Sequence, residues 1–308
     1  MTASAAANSL EQLELFLGAA TPQAARVYAR LPRETAADGD WRLAGTIRGP
    51  RSMYAHTLPV TSNFRPLPAD RGALLAEAVV VDPCFWTPES PNLYDCRLEL
   101  QHDGRGIASV ERTLGLRRLA VRGPDFLLEG KRWVLRGATR SSAPDEPLAA
   151  WRETDTAIVA DYVDDALAAE ASRVGVLLVA DLSARHEMFE LARELQRLAR
   201  WPAVGFALLP PLELSSIAFP PNLLVGQVAP NCRASAIRQW AQFLASSPPP
   251  GAAVAKWLAD LGECGQSRLP VIARRLTQQR TSVALARREC DRLQADLAVA
   301  GGMAGYMV

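Results

Sequence analysis

FWTPESPNLY, Phe85 to Tyr94, sets Pro88 and Pro91 around a short polar turn between aromatic ends. A proline fixes its own φ and biases the residue before it towards extended backbone. The segment therefore reads as a rigid crossing between strands. Outward from it lie short alternating runs: Arg26–Leu31, Trp41–Ile47, Met53–Thr61 and Leu74–Val81 upstream, Leu93–Leu100 and Ile107–Leu114 downstream. Turn residues punctuate them at Asp38-Gly39-Asp40, Pro66 to Gly72 and His102-Asp103-Gly104. Short strands at this spacing predict an all-β sandwich. Ahead of them, Ser9 to Gly18 places Leu10, Leu13 and Leu15 near one helical face behind a serine cap, which predicts an N-terminal helical segment within residues 1–24.

Past Arg122 the rhythm changes. Trp133–Gly137, Val174–Ala180, Ala203–Leu209, Leu223–Val228, Leu269–Ala273 and Gly305–Val308 are near-continuous apolar runs, the pattern of strands buried on both faces. Between them, Met188, Leu191, Leu195 and Leu198 step by three and four. So do Ile237, Trp240 and Leu244, and again Val283, Ala286, Cys290, Leu293 and Leu297. Alternating strands and helices predict a parallel sheet. The expected organisation is a multidomain β plus α/β chain: a helical segment (1–24), a sandwich (25–122) and a (β/α) domain (123–308).

Bulk properties exclude more than they assign. A formal net charge of +1 gives no long-range field for nucleic acid or an anionic membrane, and no window approaches the ~20 apolar residues of a membrane span. The first residues, MTASAAANSLEQ, lack the basic and apolar regions of a secretory leader. Cys84, Cys96, Cys232, Cys264 and Cys290 are odd in number and without CxxC spacing, and His56, His102 and His186 are equally scattered. The expectation is a cytoplasmic protein with no metal, no cofactor and no disulfide framework.

The proline crossing also resembles a family. FWTPESPNLY is similar to the (L/F)WSPExPxLY segment of family 2 glycoside hydrolases, the group of β-galactosidases and β-glucuronidases. Gly115-Leu116-Arg117, Phe126–Gly130 (FLLEG) and Val134–Arg140 (VLRGATR) follow at the spacing of that family's GFR, FxLNGKP and LRGxNRH motifs. Fainter landmarks continue in Leu167–Leu182, Arg200–Glu213 and Arg268–Leu276. The resemblance implies an immunoglobulin-like sandwich followed by a TIM-type barrel, with no counterpart here for the family's preceding jelly-roll domain. From Lys131 to Val308 the chain is shorter than the ~200 to 250 residues usual for such a barrel, so a small barrel is expected, incomplete if its last strand stays unpaired. Trp86 reads as a packing residue before it reads as a sugar-stacking one.

The same resemblance locates a loss. Retaining glycosidases place two carboxylates about 5–5.5 Å apart, one as acid/base and one as nucleophile. Aligned on Trp201-Pro202-Ala203-Val204, the family's acid/base glutamate falls on Leu212; aligned on Pro270-Val271-Ile272, its nucleophile falls on Arg275. Neither side chain does that work. Glu213 and Asp181 are weak substitutes, and Asp181 serves equally as a cap ahead of Ser183. Asp260 and Glu263 are poorer still. The family's NRH becomes Thr139-Arg140-Ser141, and its RTSHYP motif is reduced to Val159-Ala160-Asp161-Tyr162. A residual pocket of Arg140, Asp181, Glu213 and Arg275 is expected, without catalytic residues.

Three readings follow. The first is a non-catalytic family 2-like protein that binds carbohydrate or another protein. The second is an O-glycosyl hydrolase with relocated carboxylates. The third is a structural subunit that uses an open barrel edge, with a homo-oligomer as one form.

Overall fold

The computed structural model describes residues 10–32, 39–70, 72–140, 146–214, 218–229, 237–248, 257, 269–275, 282–298 and 303–308. The chain divides into two compact units, residues 1–117 with 200–202, and residues 118–199 with 203–308.

The first unit is an immunoglobulin-like sandwich of seven antiparallel strands: β1 (Glu14–Ala20), β2 (Ala24–Pro32), β3 (Trp41–Arg51), β4 (Val60–Asp70), β5 (Ala73–Val81), β6 (Leu93–His102) and β7 (Arg105–Leu114). Their order is β1-β2-β5-β4-β3-β6-β7. One strand makes two layers of this ladder: β4 pairs with β3 from Val60 to Phe64, then with β5 from Arg65 onward. Alternation supplies the core between the layers. Val27, Ala29 and Leu31, Leu43 and Ile47, Ala76, Ala78 and Val80, and Cys96, Leu98 and Leu100 all turn inward.

Two expectations change here. Glu14–Ala20 is a strand where the leucine spacing predicts a helix. Leu13, Leu15 and Leu17 also alternate, and pairing of β1 with β2 outweighs a marginal short helix. The strand expected at Met53–Thr61 begins only at Val60 and runs through Pro66 and Pro68, which had read as a turn. The prolines lie in the half of β4 that changes partners, where ladder hydrogen bonds are fewest.

The crossing at Phe85–Tyr94 is built as its prolines require. Trp86 is fully buried and bridges to Pro91, while its N–H donates to the Leu116 carbonyl at 2.8 Å. Thr87 and Ser90 exchange backbone hydrogen bonds across the turn, and the Asn92 side chain donates to the Phe85 carbonyl at 3.0 Å. Tyr94, two residues before Cys96, forms a tyrosine corner: its hydroxyl accepts from the Cys84 N–H at 2.9 Å and donates to the Cys84 carbonyl at 3.3 Å. Trp86 packs, as read.

The second unit opens with a three-stranded sheet, β8 (Leu119–Arg122), β9 (Asp125–Leu128) and β10 (Lys131–Trp133). A closed barrel of eight parallel strands follows: β11 (Leu135–Thr139), β12 (Ala157–Ala160), β13 (Leu178–Asp181), β14 (Val204–Leu209), β15 (Leu224–Val228), β16 (Phe243–Ser246), β17 (Val271–Arg274) and β18 (Gly305–Met307). Four helices are described: α1 (Leu148–Glu153), α2 (Asp165–Val174), α3 (Met188–Leu198) and α4 (Val283–Asp296). Asp164 caps α2 by accepting from the Leu167 N–H at 2.7 Å, and Gly175 ends it at φ 89°.

The barrel is complete. β18 pairs with β17 on one side and with β11 on the other, so the edge that the third reading needed does not exist. The helix expected around Ile237, Trp240 and Leu244 is a loop followed by β16, which with β12 is one of two barrel strands missing from the sequence reading; Phe243–Ser246 is entirely buried between two neighbouring strands. Register fixes which side chains face the axis. Phe206 pairs with Leu224 and Val179, Gly226 with Phe243. Phe126 of β9 meets Phe206 and Phe243 edge-on at 4.9 and 5.4 Å, and Trp133 stacks on Phe206 at 6.2 Å. Aromatic rings thus floor the amino-terminal end. Gly226 is obligatory there, because a Cβ would lie 2.3 Å from the Phe243 ring.

Burial pushes the Tyr94 phenol up to about 12 from its ordinary 10, so the hydroxyl keeps its proton in the fold. A raised acid contributes stability that is complete below pH 10 and lost as pH rises towards 12, by up to roughly 2 kcal/mol. Tyr94→Phe is expected to lower stability at neutral pH by about 1–3 kcal/mol in urea denaturation, and to flatten the loss between pH 10 and 12. An unchanged alkaline limb would show that Tyr94 is not its source.

Candidate functional site at the carboxyl end of the barrel

Barrel sites are built where strands end and βα loops begin. On the described strands the axis-facing register comprises Leu135, Gly137 and Thr139; Ala157 and Val159; Val179 and Asp181; Phe206 and Leu208; Leu224, Gly226 and Val228; Phe243 and Ala245; Ile272 and Arg274; and Gly305 and Met307. Two of these are charged, and both sit in the last residue of their strand.

Asp181 ends β13 and Arg274 ends β17, four strands away in either direction around the ring. Their side chains nevertheless meet: Arg274 Nη2 donates to Asp181 Oδ2 at 2.5 Å, with only 15% and 12% of the two side chains exposed. The other carboxylate oxygen is also taken, by the Ser183 hydroxyl at 2.5 Å and the Ser183 N–H at 3.2 Å. Asp181 is therefore both the cap that its spacing suggested and half of an ion pair that crosses the barrel mouth. In this shielded place the pair is strong as a unit, and either partner alone is costly.

The other expected site residues do not join them. Arg275 lies beyond the strand, donates its N–H to the Met307 carbonyl at 2.9 Å, and pairs its half-exposed guanidinium with Asp296 of α4 at 3.0 Å. Glu213 is 77% exposed and held by Arg238, which also donates to the Pro211 carbonyl at 3.2 Å. Leu212 turns back on Pro210 through its N–H at 2.8 Å, and its carbonyl accepts from the Trp240 indole at 2.9 Å. Arg140 is exposed, with its N–H on the Val159 carbonyl at 2.9 Å. Of the four residues expected to form a residual pocket, Asp181 is the one in an axis-facing strand position. Asp260 and Glu263 lie outside the described residues.

Arg274 is the residue that sequence reasoning missed, and the signal was there. With Ile272 inside, a period of two puts Arg274 inside and Arg275 out. Counting along a family motif fixed attention on Arg275. Two further side chains belong to this end: Tyr162, just past β12 and 65% exposed, and Phe189, in the first turn of α3 after β13 and 81% exposed. Met188 beside it is 49% exposed, so only Leu191, Leu195 and Leu198 of the α3 stripe face inward.

Metal chemistry finds no donor set, for no group of three or more His, Cys, Asp or Glu side chains converges among the described residues. The thiols are quiet. Cys96 and Cys84 are raised by burial, and Cys290 is pushed up to about 11 by burial while it donates to the carbonyls of Gly137 and Tyr306. No helix among the described residues is long and apolar enough to cross a membrane.

Comparison with known proteins bears on the sandwich first. The family described as Glycosyl hydrolases family 2 matches residues 21–117. The sandwich is thus similar to a family 2 glycosyl hydrolase domain. Solved structures extend the likeness of fold beyond the sandwich. A putative beta-galactosidase from Bacteroides fragilis aligns over 96% of this chain with a TM-score of 0.59 and 12% identity. Bifidobacterium dentium beta-glucuronidase, complexed with coumarin-3-O-glucuronide, aligns over 96% with 0.62 and 14%, and Bacteroides uniformis beta-glucuronidase over 96% with 0.58 and 14%. At these identities the likeness is one of fold. The chain spans 54%, 59% and 45% of those proteins' lengths. No curated protein sequence matches it.

Asp181→Ala strands a guanidinium in the mouth and is expected to cost about 3–5 kcal/mol, whereas Glu213→Ala, at an exposed pair, should stay within about 0.5 kcal/mol. Urea denaturation of both variants checks the contrast. Equal, small losses would mean that Asp181 is not held as described.

Proposed function

We propose that this chain is a non-catalytic member of the family 2 framework that binds carbohydrate at the carboxyl end of its barrel without cleaving it. The observation that carries this reading is the Asp181–Arg274 pair. Glycoside hydrolysis needs one carboxyl group with a proton to give and a second free to attack or to activate water, both aimed at one bond. Asp181, the carboxylate that faces the mouth, spends both oxygens on Arg274 and Ser183. Glu213, the nearest candidate by sequence, sits in solvent on Arg238.

Binding is supported by what surrounds the pair. Tyr162 and Phe189 follow adjacent strands and leave large apolar rings in water, which is unfavourable unless a ligand covers them. An aromatic face suits the C–H face of a pyranose, and the similar structures include enzymes named for β-galactosides and β-glucuronides. The scattered free thiols Cys84, Cys96 and Cys290 support a reducing, cytoplasmic setting.

Aryl β-galactosides and β-glucuronides incubated with the full chain should release no aryl alcohol above a protein-free control, while calorimetry detects oligosaccharide binding that Tyr162→Ala or Phe189→Ala weakens about tenfold, or ~1.4 kcal/mol. Turnover abolished by Asp181→Asn would overturn the non-catalytic reading. Binding indifferent to both aromatic residues would overturn its location.

A further inference from the structure

The outer face of the β3-β6-β7 layer carries a cleft of about 420 Å³, lined by Thr46, Arg97, Glu99, Gly106, Ile107 and Ser109 among others. Cross-strand register explains the hollow. Arg97 stands between Thr46 and Glu111, and Glu99 between Ala44 and Ser109. Small residues therefore flank Glu99 on both neighbouring strands and Arg97 on β3. Gly106 deepens the hollow: a Cβ there would lie 1.7 Å from Glu99 Oε1, so the carboxylate lies down over bare backbone.

Its polar groups have few partners within the protein. The exposed Arg97 guanidinium and the hydroxyls of Thr46 and Ser109 make no hydrogen bond among the described residues. Glu99 gives one oxygen to the Gln101 amide at 3.2 Å and keeps Oε1 turned into the cleft. Glu111 faces the same side from β7 and is exposed.

We infer that this cleft is a second ligand site, for a small hydroxyl-rich molecule such as a pyranose or polyol. The lining offers a donor-only group, an acceptor-only group and two hydroxyls that do either. A ligand hydroxyl both donates and accepts, so one functional group can serve all three kinds. Ile107, Ala108 and the two glycines leave apolar and backbone surface for the C–H side of such a ring. The volume is within the usual ~300–1,000 Å³ of small-molecule sites. The site lies wholly within the sandwich and does not rest on the barrel reading.

The test is a titration of the isotope-labelled full chain with methyl β-D-glucopyranoside, up to about 50 mM, followed by amide chemical shifts. Binding in the range of about 1 mM is expected, with shifts that within the sandwich are confined to residues 44–46, 97–99 and 106–109. Glu99→Gln and Arg97→Ala, both surface changes, should each weaken it at least ~5-fold, and Tyr162→Ala should leave it unchanged. Absence of shifts at these positions overturns the inference, as do shifts that both cleft variants leave intact. Binding of glycine, titrated in parallel, in place of the glycoside overturns the ligand class. Shifts restricted to residues near Tyr162 and Phe189 overturn this site while leaving the barrel reading standing.

Discussion

A carboxylate from the third barrel strand and a guanidinium from the seventh meet at 2.5 Å across the mouth, and the rest of the barrel is consistent with that contact. The pair needs strands that close into a ring, so that β13 and β17 face each other. It also needs an interior narrow enough for two side chains to bridge. Gly137, Gly226, Gly305, Ala157 and Ala245 narrow it, and Phe206, Phe243 and Met307 fill the space that those small residues leave. The floor is aromatic and the ceiling is an ion pair. Among the described residues, the carboxylate that faces the axis at this end is Asp181, and Arg274 neutralises it.

Charge logic makes that arrangement strong as a unit. Asp181 holds an arginine on one oxygen and a hydroxyl with a backbone N–H on the other, so each charge is matched where solvent is largely excluded. The sandwich, by contrast, rests on local packing devices: the buried Trp86 in its proline crossing and the Tyr94 corner on the Cys84 backbone. Framework and chemistry have separate physical requirements.

Legibility in the sequence follows the same division. The sandwich was readable because two prolines, a period of two and local turns act over a few residues. The β14, β15, β17 and β18 strands were readable as apolar runs. Phe243–Ser246 was not, because four buried residues carry no period, and the neighbouring Ile237 and Trp240 completed a false helical step. The Glu14–Ala20 strand was hidden because LEQLELFL supports either period, and only pairing with β2 decides. At the site, the absence of glutamate at positions 212 and 275 was plain. The Asp181–Arg274 contact spans 93 residues of sequence and exists only through barrel closure. Strand parity at Ile272 pointed to Arg274, but no local pattern named its partner.

The most direct measurement of the central claim is a double-mutant cycle at Asp181 and Arg274, using Asp181→Ala, Arg274→Ala and both together, with unfolding free energies from urea denaturation. A pair that closes the mouth as a unit predicts single losses of about 3–5 kcal/mol each and a double loss well below their sum, a coupling of at least ~2 kcal/mol. Additive losses would contradict it, because they would mean that the two charges do not sense each other across the barrel.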